Sequence, residues 1–394
     1  MALRYAISSG NWNTPGIWDS GTVPVPTDDV RANGFTVTID VDINVSQIST
    51  AQLLPALAGG GFVVSTNRTL TCDVVSSSTI CLSSSVGNIV YIIGNMTGGL
   101  LNNIPGVSFT NSGSILNVIG NATGGNPLSG GAHGLSSAGT VNFVGNAFAG
   151  NTSNAATAGI NITTTGNLTF TGNASCLGLR TYGIQCAGNS TLNGTITAGN
   201  SILSGGVNLL SGIHIVNSDC FGGSGSGSHG LLITNSTATI NGNCTGGSNG
   251  GSHACNITNS TVTVNGNIIG STSTTSVGVL VNDLASNVVI STMTFSSSGG
   301  SPVIGFVKFK NTAPTITVTK ADNTTQQLVD PLTTDIPVIT NVRNGVVYAS
   351  GALTGTLAVP PTSSVAVGVP VDATVGTAII TVTDMGALLA SYNV

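Results

Sequence analysis

The chain has 394 residues, 40% of them apolar and 5% charged, with a mean hydropathy of +0.38, so it can bury a large core and is not disordered by charge. Its net charge of −5 comes from 13 Asp against 8 Lys and Arg, with no Glu, and no basic patch for nucleic acid is expected. No stretch reaches the roughly 20 apolar residues of a membrane span, which excludes helical membrane insertion.

The opening, MALRYAISSGNWN, lacks the basic start and apolar run of a secretory signal, so the expectation is a soluble chain made in the cytoplasm. Residues 1–60 hold both tryptophans, Trp12 and Trp18, and the alternating run FTVTIDVDINV (35 to 45). This segment is expected to form an amino-terminal cap, because the first coil of a stacked array exposes an open core and an unpaired edge.

From residue 61 to 320 one phrase recurs: a small residue or His, then Gly, apolar, any, apolar, an Asn/Ser turn, and an alternating strand closing on Gly-Asn. HGLLITNSTATINGN (229 to 243) and HACNITNSTVTVNGN (253 to 267) are its clearest copies. Marking the first-strand position gives Gly61, Thr79, Gly106, Gly134, Gly159, Gly183, Gly212, Gly230, Ala254, Gly278 and Gly305, about 24 residues apart. Period-2 strands repeating in the twenties, without Leu-rich or helical text, point to a right-handed single-stranded parallel β-helix of about eleven coils. At the ~4.8 Å between stacked strands it would be roughly 50 Å long. The Gly-Asn pairs ending at Asn95, Asn121, Asn146, Asn173, Asn243 and Asn267 read as corners, where both residue types tolerate left-handed backbone. Stacked Asn side chains can also bond from coil to coil.

Beyond Lys320 the text becomes proline-punctuated short β runs, so residues 321–335 are expected as a linker and 336–394 as a small separate β module for attachment or oligomerisation.

Catalytic chemistry finds little to use. Glycoside hydrolysis needs two carboxylates about the scissile bond, yet between Val74 and Asn282 the only charged side chains are Arg180 and Asp219. No nucleophile elbow surrounds any Ser. No catalytic residue and no cofactor is expected. Asp28 and Asp29 with Asp40 and Asp42 form the one acidic cluster, with oxygen chemistry suited to Ca²⁺, although turn and edge-strand Asp is the simpler reading. His229 and His253 fall at equivalent positions of adjacent coils, with His133 at the same phase and His214 elsewhere; a stacked imidazole pair follows from register alone, and a metal would need more ligands. The seven cysteines lie outside any CxxC spacing and read as buried free thiols, though Cys220 and Cys244, 24 residues apart, are in phase for a disulfide. Outward Thr169, Thr239 and Thr263, with Asn117 and Asn142, would form a flat uncharged ladder of a kind that binds sugars or ice; the regular TxT text of an ice binder occurs in only a few coils.

The opening GNWNTPGIWDSGTVPVPTDDVRANGFTVTID, a Trp pair followed by an Asp-Asp-Val and a V-T-I-D strand, resembles the cap of β-helical proteins in phage virions and bacterial surface adhesins. The segment NVRNGVVYASGALTGTLAVPPTSSVAVGVPVDATVGTA is similar to a stretch of tailed-phage structural proteins. The resemblance implies a virion fibre, spike or decoration protein, oligomeric and often trimeric, with capsid or tail proteins as partners and host-surface glycan as a target. It carries over no catalytic residue, since the acidic clefts of depolymerising tailspikes have no counterpart here. A cell-surface adhesin is the second expectation and a pectin-lyase-like enzyme the third.

Overall fold

Strands of four to nine residues that alternate apolar and polar side chains bury one face and leave the other wet. In Ile115–Ile119, for instance, Leu116 and Val118 are buried while Ile119 faces out. Such a strand cannot complete a core alone. In the computed structural model the chain solves this by winding, so that each strand pairs in parallel with its equivalent one coil on. The structure describes residues 2–270 apart from 52–59, 78, 102–103, 127–131, 151–156, 164–165, 177 and 180, and beyond them 276, 278–281, 286–290, 295–296 and short stretches as far as 375.

Two long sheets result, one of thirteen strands and one of twenty-three, and their pairings are parallel until the hairpin Ile316–Thr319/Thr325–Leu328. The fold is a parallel β-helix, as the repeat indicated. In the thirteen-stranded sheet two strands precede Gly61, leaving eleven from Gly61–Val64 to Val303–Ile304.

The stack starts earlier than the repeat suggested. Leu3–Tyr5 already pairs in parallel with Asp29–Arg31, and Gly10–Asn11 with Thr36–Ile39, so the described strands before residue 50 are themselves part of the stack. Their interior is filled by Trp12 and Trp18, packed edge to face with centroids 5.0 Å apart, and Trp12 also leans on Phe62 at 6.0 Å. Trp18 Nε1 donates to the Trp12 carbonyl, which satisfies the one polar atom of the buried indole.

Two of the marked coil positions are corrected by the register. Phe62 pairs Leu82, which makes Cys81 the partner of Gly61 in place of Thr79. Tyr182 pairs Gly205 and Ile184 pairs Val207, so Gly206 is equivalent to Gly183 and Gly212 belongs to the other sheet. Gly212 misled because GIHIV repeats the Gly-apolar-any-apolar phrase, although it forms the second strand of its coil. Gly305 lies outside the described residues.

Contacts divide the chain into Met1–Leu332 and Thr333–Val394. The division falls inside the expected linker, of which Thr325–Leu328 forms part of the closing hairpin. In the second unit the described strands form two short antiparallel pairs, Val347–Tyr348 with Leu353–Thr354 and Pro370–Val371 with Thr374–Val375.

Candidate interaction surface

The acidic residues are occupied by the backbone. Asp28 Oδ2 accepts from the Val25 N–H (3.0 Å) and from Arg4 Nε (3.2 Å), the one ion pair among the described residues. Burial works to raise its pKa, but these bonds prevail and hold it below the ordinary carboxylate value. Asp40 accepts the Asn13 N–H at 3.0 Å and Asp42 the Thr69 N–H at 2.9 Å, while Asp29 sits within a paired strand. Among the described residues no three His, Cys or Asp side chains form a group that could hold a metal ion.

Asp219, the lone carboxylate of the middle coils, joins the corner ladder. Its Oδ1 accepts the Asn243 N–H at 2.7 Å, and Asn243 Oδ1 accepts the Asn267 N–H at 3.0 Å. The same rule runs from Asp73 through Asn95, Asn121 and Asn146 to Asn173, each oxygen accepting the next coil's backbone N–H at 2.8–3.3 Å. At Asn95, Asn121, Asn146 and Asn173 the left-handed backbone belongs to the preceding glycine: Gly145 has φ 141°, and a Cβ there would lie 1.7 Å from the Gly120 carbonyl oxygen. Arg180 lies outside the described residues.

Histidines serve similarly. His133 Nδ1 accepts the Ala158 N–H at 3.1 Å and His229 Nδ1 the His253 N–H at 3.4 Å. His229 Nε2 lies 3.0 Å from Asn256 Nδ2. The His229 and His253 rings stack at 5.2 Å with planes 7° apart, the imidazole pair that register implied. Burial pushes the pKa of His133, His214, His229 and His253 down to about 4.

His214 also makes a contact that sequence spacing did not reveal: its Nδ1 lies 2.8 Å from Ser190 Oγ, while Nε2 donates to the Ser211 carbonyl at 2.8 Å. A Ser–His pair is the geometry of an activated nucleophile. Both side chains point into the core, with Ser190 5% and His214 1% exposed, so here it satisfies buried polar atoms. The signal lay in the one-coil offset between the two residues, which appears only once Gly212 is moved to the second sheet.

All seven cysteines are free and buried. Cys220 and Cys244 are register partners, yet the short sulfur contact is between Cys244 and Cys255, at 3.0 Å. Burial pushes the Cys72 thiol up to about 12, far from a reactive thiolate.

The outward side of the longer sheet remains. Register places Tyr91, Asn117, Asn142, Thr169 and Thr191 in one column that continues through Ile215, Thr239 and Thr263. The expected ladder residues therefore do align. A flanking column carries an asparagine ladder in which Asn265, Asn241 and Asn217 each donate Nδ2 to the preceding coil's Oδ1 at 2.7–2.8 Å, ending on Asn193. Ile93, Ile119 and Val144 continue that column toward the amino end, 45–59% exposed.

No family model matches the chain, and neither does any curated protein or solved structure. Its own surface therefore has to carry the functional reading. That surface offers shallow clefts without ionisable side chains, one edged by Thr36, Thr79 and Ile104 and another by Thr97, Thr123 and Phe148. Among the described residues no helix is long and apolar enough to cross a membrane.

Proposed function

We propose that the chain is a non-enzymatic structural protein of a tailed-phage virion, a fibre, spike or decoration protein that projects its β-solenoid from the head or tail and meets host-surface glycan or other virion proteins. The observation that carries the non-catalytic part is the use of Asp219: the one carboxylate of the middle coils accepts a corner backbone N–H, and the Ser190–His214 pair is turned into the core. General acid–base chemistry needs a pair of titratable groups facing a substrate. The virion setting rests on the likeness of the Trp-rich opening and of the carboxy-terminal segment to phage structural proteins.

Immunogold labelling of phage particles with an antibody raised against the chain tests the setting. Gold at a defined place on head or tail is expected. Absence from particles rejects it, and labelling of the bacterial surface in its place favours the adhesin reading that the same opening segment suggests.

A further inference from the structure

On the outward side of the longer sheet, eight consecutive strands from Ile89–Ile93 to Thr261–Val264 present three aligned positions each, the third sometimes one residue past the strand end. Every one of these positions is Ile, Val, Tyr, Thr or Asn, and none is charged. Charge is scarce throughout these coils, and what sets this face apart is exposed apolar area: Tyr91, Ile93, Ile119, Val144, Ile213 and Ile215 are six of the fifteen exposed large apolar side chains among the described residues. We propose that this face is a self-association surface on which a second copy of the chain lies side by side, rods parallel and coils in register. The resemblance implies an oligomer but no surface; the inference assigns the face and a two-fold arrangement from the structure and does not depend on the virion reading.

The area fits. Three columns two residues apart and eight strands stacked at ~4.8 Å cover about 20 Å by about 38 Å, roughly 750 Å². A stable interface buries about 800 Å² per partner. The cost of drying the face is low, because its asparagines already bond along the rod: Asn142 donates to Asn117 at 2.9 Å and Asn241 to Asn217 at 2.7 Å. Burying an amide that keeps its partner avoids the penalty of an unmet donor. With no charged side chain on the face, a copy meets no like charge and strips water from no ion.

The pattern also sets the orientation. Exposed apolar side chains cluster at the amino end, with Tyr91 50% and Ile119 59% exposed, and recur at Ile213 (64%) and Ile215 (42%). A two-fold axis parallel to the rods lays each cluster on its own copy and brings every middle-column residue against itself. Antiparallel rods would set the Tyr91 row on the Thr263 row, apolar against polar. A glycan is the weaker occupant, since Tyr91 is the single aromatic ring on the face and no carboxylate stands beside it.

Sedimentation velocity of the full chain over a range of concentrations tests the proposal. A dimer is expected whose dissociation constant rises more than about tenfold in Ile215→Lys, where two like charges meet on the axis, and stays unchanged in Thr197→Lys on a different side of the coil. Because the native cysteines are buried, Thr263→Cys should cross-link to itself under mild oxidation. That readout holds even if Ile215→Lys fails to fold, and it fails for antiparallel rods. A wild-type chain that stays monomeric, a dimer indifferent to Ile215→Lys, or no Thr263→Cys cross-link would overturn the proposal. So would a monomer that binds neutral polysaccharide or shapes ice crystals through this face.

Discussion

A corner in a parallel solenoid breaks the backbone ladder, and each broken N–H needs an acceptor. Here Asn, Asp, Ser and His side chains provide it from the adjacent coil, as with Asn121 for Asn146, Asp219 for Asn243, Ser276 for Ser252 and His133 for Ala158. If Asp219 serves only as an acceptor, Asp219→Asn should change stability by less than about 0.5 kcal/mol and Asp219→Ala should cost about 1–2 kcal/mol, read as shifts of the denaturation midpoint. Gly145→Ala is expected to cost more than about 3 kcal/mol, because no relaxation short of moving a coil clears a Cβ from the Gly120 carbonyl. The four histidines add a pH dependence. Their ordinary value near 6.5 falls to about 4 in the fold, so the unfolded chain binds protons that the folded chain refuses. Stability is therefore complete above pH ~6.5 and declines as pH drops toward ~4. Melting temperatures between pH 8 and 4 should show this decline, reduced in His133→Gln; a flat profile would contradict the bonding described. Asn at the corners was legible in the sequence because it recurs after Gly. That Gly takes the positive φ while Asn serves as acceptor was not, since both residue types tolerate either role.

Among the elements, the strands were the most legible part, because alternation and the Gly-Asn closure both mark them. The sheet to which a strand belongs was less so. Gly-Ile-His-Ile at 212–215 and Gly-Leu-Leu-Ile at 230–233 share one local pattern yet lie in different sheets, and pairing with the preceding coil alone separates them. The same ambiguity hid the Ser190–His214 contact. The Trp pair and the open core of a first coil mark the amino-terminal segment as a cap in the sequence; that its strands also pair in parallel like the rest is visible only in the register. Their aromatic plug should be a local device. Trp18→Ala removes a side chain only 1% exposed and is expected to cost about 3–5 kcal/mol. Each coil touches only its neighbours, so hydrogen exchange should quicken in the coils around Trp12 and Phe62 and remain slow near Val216 and Ile240.

For the molecule as a whole, cohesion comes from stacked apolar columns and neutral hydrogen-bond ladders, with Arg4–Asp28 the one ion pair among the described residues. Raising salt from low to physiological levels should therefore leave the melting temperature nearly unchanged, since screening has little to act on. The same scarcity of charge supports the proposed structural role over that of a depolymerase. Incubating the purified full chain with a panel of host polysaccharides and measuring new reducing and unsaturated ends tests that distinction directly. No turnover above buffer is predicted; sustained release of either kind of end would contradict a rod that holds its one mid-chain carboxylate in a corner hydrogen bond.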